Sequence, residues 1–270
     1  MNRLPENYYS IMTHRSELVL GKEAMDRLAS TQVIVFGLGG VGSWCAEALV
    51  RTGIRHITLV DYDIICPTNI NRQVQATSAN TGMPKADVLK KRLLEINPGL
   101  DVSAIGISYD VQSYDKFDLS EYDYVIDAID SIQSKLHLIE ECITKKITVF
   151  SSMGAGAKTD PSRIRTELLS NTHTCPLARL VRTGLRKKNV STDIMCVFSD
   201  ESPIAPACAD IADADPASPD TMIEEPVPCG GSESPHSPVR NKRVNGSLVH
   251  ITGIFGFMLA GLVIRDIIKK

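Results

Sequence analysis

Gly37-Leu38-Gly39-Gly40-Val41-Gly42 fills a G-x-G-x-x-G pattern, the spacing that lets a backbone turn sharply and come close to phosphate oxygens. Phosphate charge is then met by unpaired N–H groups and by the positive end of a following helix. Turns and close helix packing select glycine too, so the flanking residues decide. Gln32 to Phe36 reads as a strand and Val41 to Arg51 as a helix, which makes Gly37, Gly39, Gly40 and Gly42 candidate nucleotide-binding residues. Asp61 ends the next strand, Ile57 to Val60, about 20 residues downstream, where a carboxylate accepts hydrogen bonds from ribose hydroxyls.

To this point a dinucleotide fits as well as a mononucleotide. The run Thr68-Asn69-Ile70-Asn71-Arg72-Gln73 and the later Lys85 separate the two. Backbone amides largely satisfy the roughly two charges of a dinucleotide, whereas a triphosphate carries about four and needs cations and a metal. Single loop cations are usually solvated, yet Arg72 and Lys85 both follow a phosphate loop, and that order favours function. Tyr124 to Ile126 reads as a strand running into Asp127-Ala128-Ile129-Asp130. Carboxylates at the carboxyl end of such a strand suit magnesium held by one or two protein oxygens plus phosphate. Asp130 is the metal candidate. Asp127 is a second candidate at the nucleotide, with capping of the following helix as the preferred role.

These residues need a frame that gathers strand ends. In the first half, short β-rich runs alternate with helical stretches: helices at Lys85 to Ile96 and Gln133 to Cys142, further strands at Val102 to Ile107 and Ile147 to Phe150. That is the pattern of an α/β, Rossmann-like, doubly wound and mainly parallel sheet, here with an elaborated C-terminal half. One domain over 1–270 is expected, with a flexible insertion at 202–239, a stretch rich in proline and poor in large apolar residues. Leu248 to Ile264 is apolar almost throughout and nearly long enough for a bilayer. Its glycines, with His250 and Thr252, favour a strand followed by a buried helix, and a membrane contact stays open as the lesser reading.

A formal charge of −3 confines any nucleic-acid contact to one face. Met1 to Ser10 lacks an apolar core for a secretory leader, and the seven cysteines show neither framework nor Cys-x-x-Cys spacing. Reduced thiols, a cytoplasmic location and no structural zinc are expected.

Taken together, the glycine loop, Asp61-Tyr62-Asp63, Asn69 to Gln73, Lys85, Asp127 and Asp130 resemble the ubiquitin-activating (ThiF-type) superfamily, whose members adenylate carboxylates. Arg15-Ser16-Glu17-Leu18-Val19-Leu20-Gly21 looks like its amino-terminal segment. The resemblance implies that Arg15 reaches the phosphates of a partner subunit, hence a homodimer. Ser151 to Ala157, Asp160-Pro161, Pro176 to Arg179, Cys196 to Ser199 and Gly246-Ser247 are most similar to the tRNA threonylcarbamoyladenosine dehydratases. That branch implies ATP and Mg2+, Arg15, Asn69, Arg72, Lys85 and Asp130 as catalytic residues, Asp61, Asp63, Gln73 and Asp127 at the nucleotide, and tRNA as substrate. The alternative is an adenylyltransferase for a ubiquitin-like sulfur-carrier protein, which usually has two Cys-x-x-Cys pairs. A third reading is a non-catalytic nucleotide-binding partner of sulfur-transfer proteins. A dehydrogenase lacks a clear hydride-transfer constellation.

One departure stands out: the branch usually has Asp where this chain has Cys175, at the N-cap of a helix that Pro176 begins. A thiol caps poorly, and its sharper reading is a thiolate activated by the helix end. Arg179, Arg182 and Arg186 share one face of that helix, either solvated or docked on tRNA phosphates.

Overall fold

The computed structural model describes residues 5–205 and 246–270. Two helices, α1 (Tyr8–Leu20) and α2 (Lys22–Ser30), precede β1 (Gln32–Phe36), α3 (Gly42–Thr52), β2 (His56–Val60), α4 (Lys85–Ile96) and β3 (Asp101–Ile105). The second half runs β4 (Tyr124–Asp127), α5 (Ile132–Thr144), β5 (Thr148–Ser152), β6 (Ile164–Leu168), α6 (Pro176–Lys187), β7 (Met195–Ser199) and α7 (Val249–Lys269). All seven strands lie in one sheet, ordered β3-β2-β1-β4-β5-β7-β6. Among the described residues, only the β6–β7 pair of this sheet is antiparallel. The order reverses between β1 and β4, so a crevice opens at their carboxyl ends.

The central strands are apolar because both faces are covered. β4 is buried throughout, and β1 and β2 are buried beyond their first residue, as a parallel sheet between helices requires. On one side Leu49, Leu89, Leu259 and Val263 pack against Val33, Val35 and Ile126. Leu138, Ile139, Val181 and Leu185 cover Ile34, Val125 and Phe198 on the other.

The C-terminal apolar run is a single helix among the described residues, not the strand and helix that its sequence suggests. Its length and composition would suffice to cross a membrane, yet 56% of its apolar window is buried inside the protein. Gly256 explains the fit. A Cβ there would lie 2.5 Å from the Val41 carbonyl, so its absence lets α7 press onto the first turn of α3.

The proline-rich insertion expected at 202–239 falls mostly outside the described residues. Residues 202–205 have no regular structure, with Ile204 N–H donating to the Ala157 carbonyl at 2.8 Å. Cys45, Cys142, Cys175 and Cys196 are free thiols.

Candidate nucleotide-binding site

The glycine loop joins β1 to α3 at the switch point. Gly37 adopts φ +86°, and a Cβ there would lie 2.6 Å from the Ala128 carbonyl. At Gly42 the same atom would fall 1.9 Å from the Gly37 carbonyl. These two positions therefore require glycine for backbone reasons alone. A Cβ on Gly39 would meet nothing within 4 Å, so the loop presents an open cradle there. The N–H groups of Gly39, Gly40 and Val41 find no acceptor among the described residues. Free N–H groups at the start of an eleven-residue helix suit phosphate oxygens.

Asp61, 9% exposed, holds this loop and faces the crevice. Its Oδ2 accepts from Leu38 N–H at 2.6 Å and its Oδ1 from Asp63 N–H at 2.9 Å. Burial raises its pKa, against the lowering influence of Lys85 and the two amides. Each oxygen keeps a second lone pair, which matches ribose hydroxyls. Lys85 opens α4 and is nearly buried, with Nζ 2.6 Å from Asp63 Oδ2. Asp63 thus anchors the lysine at the crevice, and two of its three N–H donors remain.

Asn69 is buried, and its Oδ1 accepts from Cys66 N–H at 3.1 Å. Its Nδ2 has no hydrogen-bond partner among the described residues and can donate to a ligand. Arg72 is half-buried, and Gly40 leaves the space that its stem occupies, a Cβ there standing 3.2 Å from Arg72 Cγ. The Arg72 guanidinium donates only to the Thr68 carbonyl and Asn71 Oδ1. No acid neutralises it among the described residues. Gln73 is 5% exposed, yet its Oε1 has no hydrogen-bond partner. A buried acceptor without a donor is costly, and a nucleotide hydroxyl or amino group would satisfy it.

Asp130 lies three residues past β4, whose Asp127 pairs in register with Phe36 at the end of β1. It is exposed and makes no hydrogen bond among the described residues. Nowhere among them do three His, Cys, Asp or Glu converge on a metal-sized site. A lone carboxylate fits magnesium held chiefly by phosphate oxygens and water. Asp127 is different. It is fully buried, caps no helix, and bonds Lys135 Nζ at 2.7 Å, Ser151 Oγ at 2.6 Å and Ile129 N–H at 3.2 Å. Both sequence readings of Asp127, nucleotide contact and helix cap, give way to a buried structural ion pair.

Arg15 sits in the middle of α1, exposed and without a hydrogen bond or ion pair among the described residues. No hydrogen bond or ion pair joins it to the loop of its own chain among the described residues. Cys175 is the N-cap of α6, without a side-chain capping bond, and is 2% exposed, which closes it to substrates. The arginine stripe is also thinner than its spacing suggests. Arg182 turns inward, donating to the Thr172 carbonyl at 2.6 Å, while Arg179 and Arg186 remain exposed.

Several supporting residues have no sequence signature. Gln75 Nε2 donates to the Leu38 carbonyl at 2.9 Å and Ser43 Oγ to the Gly39 carbonyl at 2.7 Å. Trp44 Nε1 donates to the Arg72 carbonyl at 3.0 Å. Together they stitch the segment 72–75 onto the phosphate loop. Only Ser43, four residues from Gly39, had a local signal.

A cradle of free amides, a ribose-type carboxylate and two cations beside one exposed carboxylate can bind a nucleoside triphosphate and stabilise charge at its phosphates. The ThiF family profile matches residues 13–270. A tRNA threonylcarbamoyladenosine dehydratase of Bacillus subtilis is 39% identical over 255 residues, 94% of each chain. The crystal structure of E. coli tRNA N6-threonylcarbamoyladenosine dehydratase in complex with ATP superposes with a TM-score of 0.80 at 29% identity, covering 99% of this chain and 98% of that one. A molybdopterin-synthase adenylyltransferase of Haemophilus influenzae is 27% identical over 129 residues, 48% of this chain and 53% of its own. On the glycine loop, the strand-end carboxylates and these matches, the chain belongs to the ThiF family.

Proposed function

We propose that this protein is an ATP-dependent tRNA threonylcarbamoyladenosine dehydratase acting as a cytoplasmic homodimer. The observation that carries the reading is the union of a triphosphate-type site with similarity to a dehydratase along 94% of both chains. In the site, Asp61 holds the ribose and the Gly37 to Gly42 loop receives phosphate. Arg72, Lys85 and Asn69 Nδ2 meet the charge that grows as the substrate carboxylate attacks the α-phosphorus. That step forms an acyl-adenylate and releases pyrophosphate. A nitrogen or oxygen of the same side chain then displaces AMP and closes the ring, at effective molarities of ~10⁵ M or more for well-oriented groups. No enzyme nucleophile is required, which agrees with the burial of Cys175. Asp130 would hold Mg2+, whose charge would balance that of the phosphates.

The dimer reading rests on α1. Arg15 shares an exposed face with Ile11, Leu18 and Val19, which are 56%, 70% and 81% exposed. An apolar face around an unpaired arginine suits a second copy, into whose site Arg15 would point. For tRNA, exposed Arg179, Arg186 and Lys187 on α6 offer phosphate contacts despite the acidic total.

The test is nucleoside mass spectrometry of threonylcarbamoyladenosine-containing tRNA incubated with the purified protein and ATP. Conversion to the cyclic nucleoside with matching AMP and pyrophosphate is expected. Pyrophosphate exchange driven by a sulfur-carrier protein and not by tRNA would replace this reading with the carrier-adenylating one.

A further inference from the structure

Among the described residues, Arg72 is held by neutral groups alone. Both N–H bonds of its Nη1 are engaged, one by the Thr68 carbonyl at 2.8 Å and one by Asn71 Oδ1 at 3.0 Å. The remaining guanidinium donors lie along the edge formed by Nε and Nη2, the fork that matches two oxygens of one phosphate. Because neither acceptor is an acid, the group is oriented without its charge being neutralised.

Asn71 is itself anchored. Its Nδ2 donates to the Ser247 carbonyl at 3.0 Å, so the amide meets a donor on one side and an acceptor on the other, and one orientation of the group satisfies both. Ser247 lies just before α7, which presses onto α3 at Gly256 and reaches the phosphate loop at Thr252. A Cβ on Gly40 would stand 3.1 Å from Thr252 Cβ. From α3, Trp44 Nε1 donates to the Arg72 carbonyl at 3.0 Å. The backbone of Arg72 is thus tied to α3 and its guanidinium, through Asn71, to the start of α7, although Asn71 is exposed and sits in a turn.

We propose that Asn71 is a positioning residue for Arg72, clipping its guanidinium to the segment ahead of α7 so that the free Nε–Nη2 edge is aimed at the phosphate under attack. The proposal rests on the ATP-dependent reading above and adds the residue that keeps its arginine in place. A loosened guanidinium still attracts phosphate by its charge, whereas charge growing in the transition state is stabilised best by a donor already in position. The loss on removing Asn71 should therefore fall on kcat and spare KM.

The experiment is a double-mutant cycle of wild type, Asn71→Ala, Arg72→Ala and the double variant. Activity is cyclisation of threonylcarbamoyladenosine-containing tRNA, and nitrogen-15 relaxation of the Arg72 Nε–H reports how firmly the guanidinium is held. Asn71→Ala should lower kcat roughly ten-fold or more, keep KM for ATP within about two-fold and leave the melting temperature unchanged. It should also reduce the order parameter of the Arg72 Nε–H while those of the other arginines hold. In the Arg72→Ala background the same change should cost less than about two-fold, because the group through which it acts is gone. Full additivity of the two losses would overturn the proposal, since Asn71 would then act on ATP or tRNA directly. An unchanged order parameter would overturn it too, as would a raised KM with kcat intact. A wild type inactive on tRNA would refute the dehydratase reading alone, and the order parameter would then decide whether Asn71 holds Arg72.

Discussion

Replacing Lys135 by Met should be among the most destabilising single changes in the protein. The ammonium is fully buried, 2.7 Å from Asp127 Oδ2, 3.0 Å from the Ser152 carbonyl and 3.4 Å from Ser151 Oγ. Without it the Asp127 carboxylate, also fully buried, keeps only the Ser151 hydroxyl and the Ile129 N–H. Breaking one partner of a buried ion pair costs about 3–5 kcal/mol, a large part of a typical total of roughly 5–15 kcal/mol. At roughly 2–4 °C per kcal/mol for a chain of this size, the melting temperature should fall by about 6–20 °C. Acid should ease the defect. An unpaired carboxylate in a dry interior takes up a proton rather than remain charged, so the deficit should shrink as pH is lowered from 7 toward 5. The double variant Lys135→Met/Asp127→Asn removes the orphaned charge and should recover most of the loss. Circular-dichroism melts across that pH range check all three points. The reasoning fails if the single variant loses less than about 1 kcal/mol at neutral pH, or if its deficit is the same at both ends of the range. The turn from Asp127 to Asp130 lies against Gly37, so the single variant should also bind nucleotide more weakly at temperatures where it remains folded.

The remaining predictions concern Arg15, Cys175 and Asp200. Arg15→Ala and Lys85→Ala chains should each be nearly inactive, since a cation lost from phosphoryl chemistry can cost 10³-fold or more. Under subunit exchange, a mixture of the two should regain about a quarter of wild-type turnover, because half the dimers are mixed and each has one intact site of two. A mixture that stays inactive after confirmed exchange would place Arg15 in cis or outside the site. Cys175→Asp should supply the missing cap on α6 and raise stability by about 0.5–2 kcal/mol in urea titrations, with turnover unchanged. Asp200 is held below the ordinary carboxylate range by the hydrogen bond from Arg163, with burial opposing and Arg165 assisting. A depressed native pKa gives stability that is present above the unfolded value and lost as pH falls through the native one. Asp200→Asn should accordingly be less stable than wild type near neutral pH, and the gap in urea midpoint should close in acid.

Chain-local chemistry made much of this protein legible before its fold was known. The glycines at 37 and 42, the apolar strands around them and the carboxylates at strand ends follow from backbone sterics and from burial on both faces of a parallel sheet, and both leave marks at fixed spacing. Asp61 holds the phosphate loop through Leu38 N–H, Lys85 pairs with Asp63 two residues on, and the Arg72 stem lies against Gly40. Asp127 was misjudged because its sequence position, a carboxylate shortly before a helix, is shared by caps, ligands and buried ion pairs. Only the packing of α5 against β4 and β5 brings Lys135 to it. The arginines of α6 carried equal promise by spacing, until Arg182 turned toward the Thr172 carbonyl. The C-terminal run showed the same limit, since apolarity determines that a segment avoids water and cannot say whether lipid, sheet or another helix replaces it. Contact between α7 and the first turn of α3 through Gly256 decided that, as did the hydrogen bonds of Gln75 and Trp44 that join the 72–75 segment to its loop. These are long-range contacts between groups with no periodic signature, and they exist only once the sheet has brought the strand ends together.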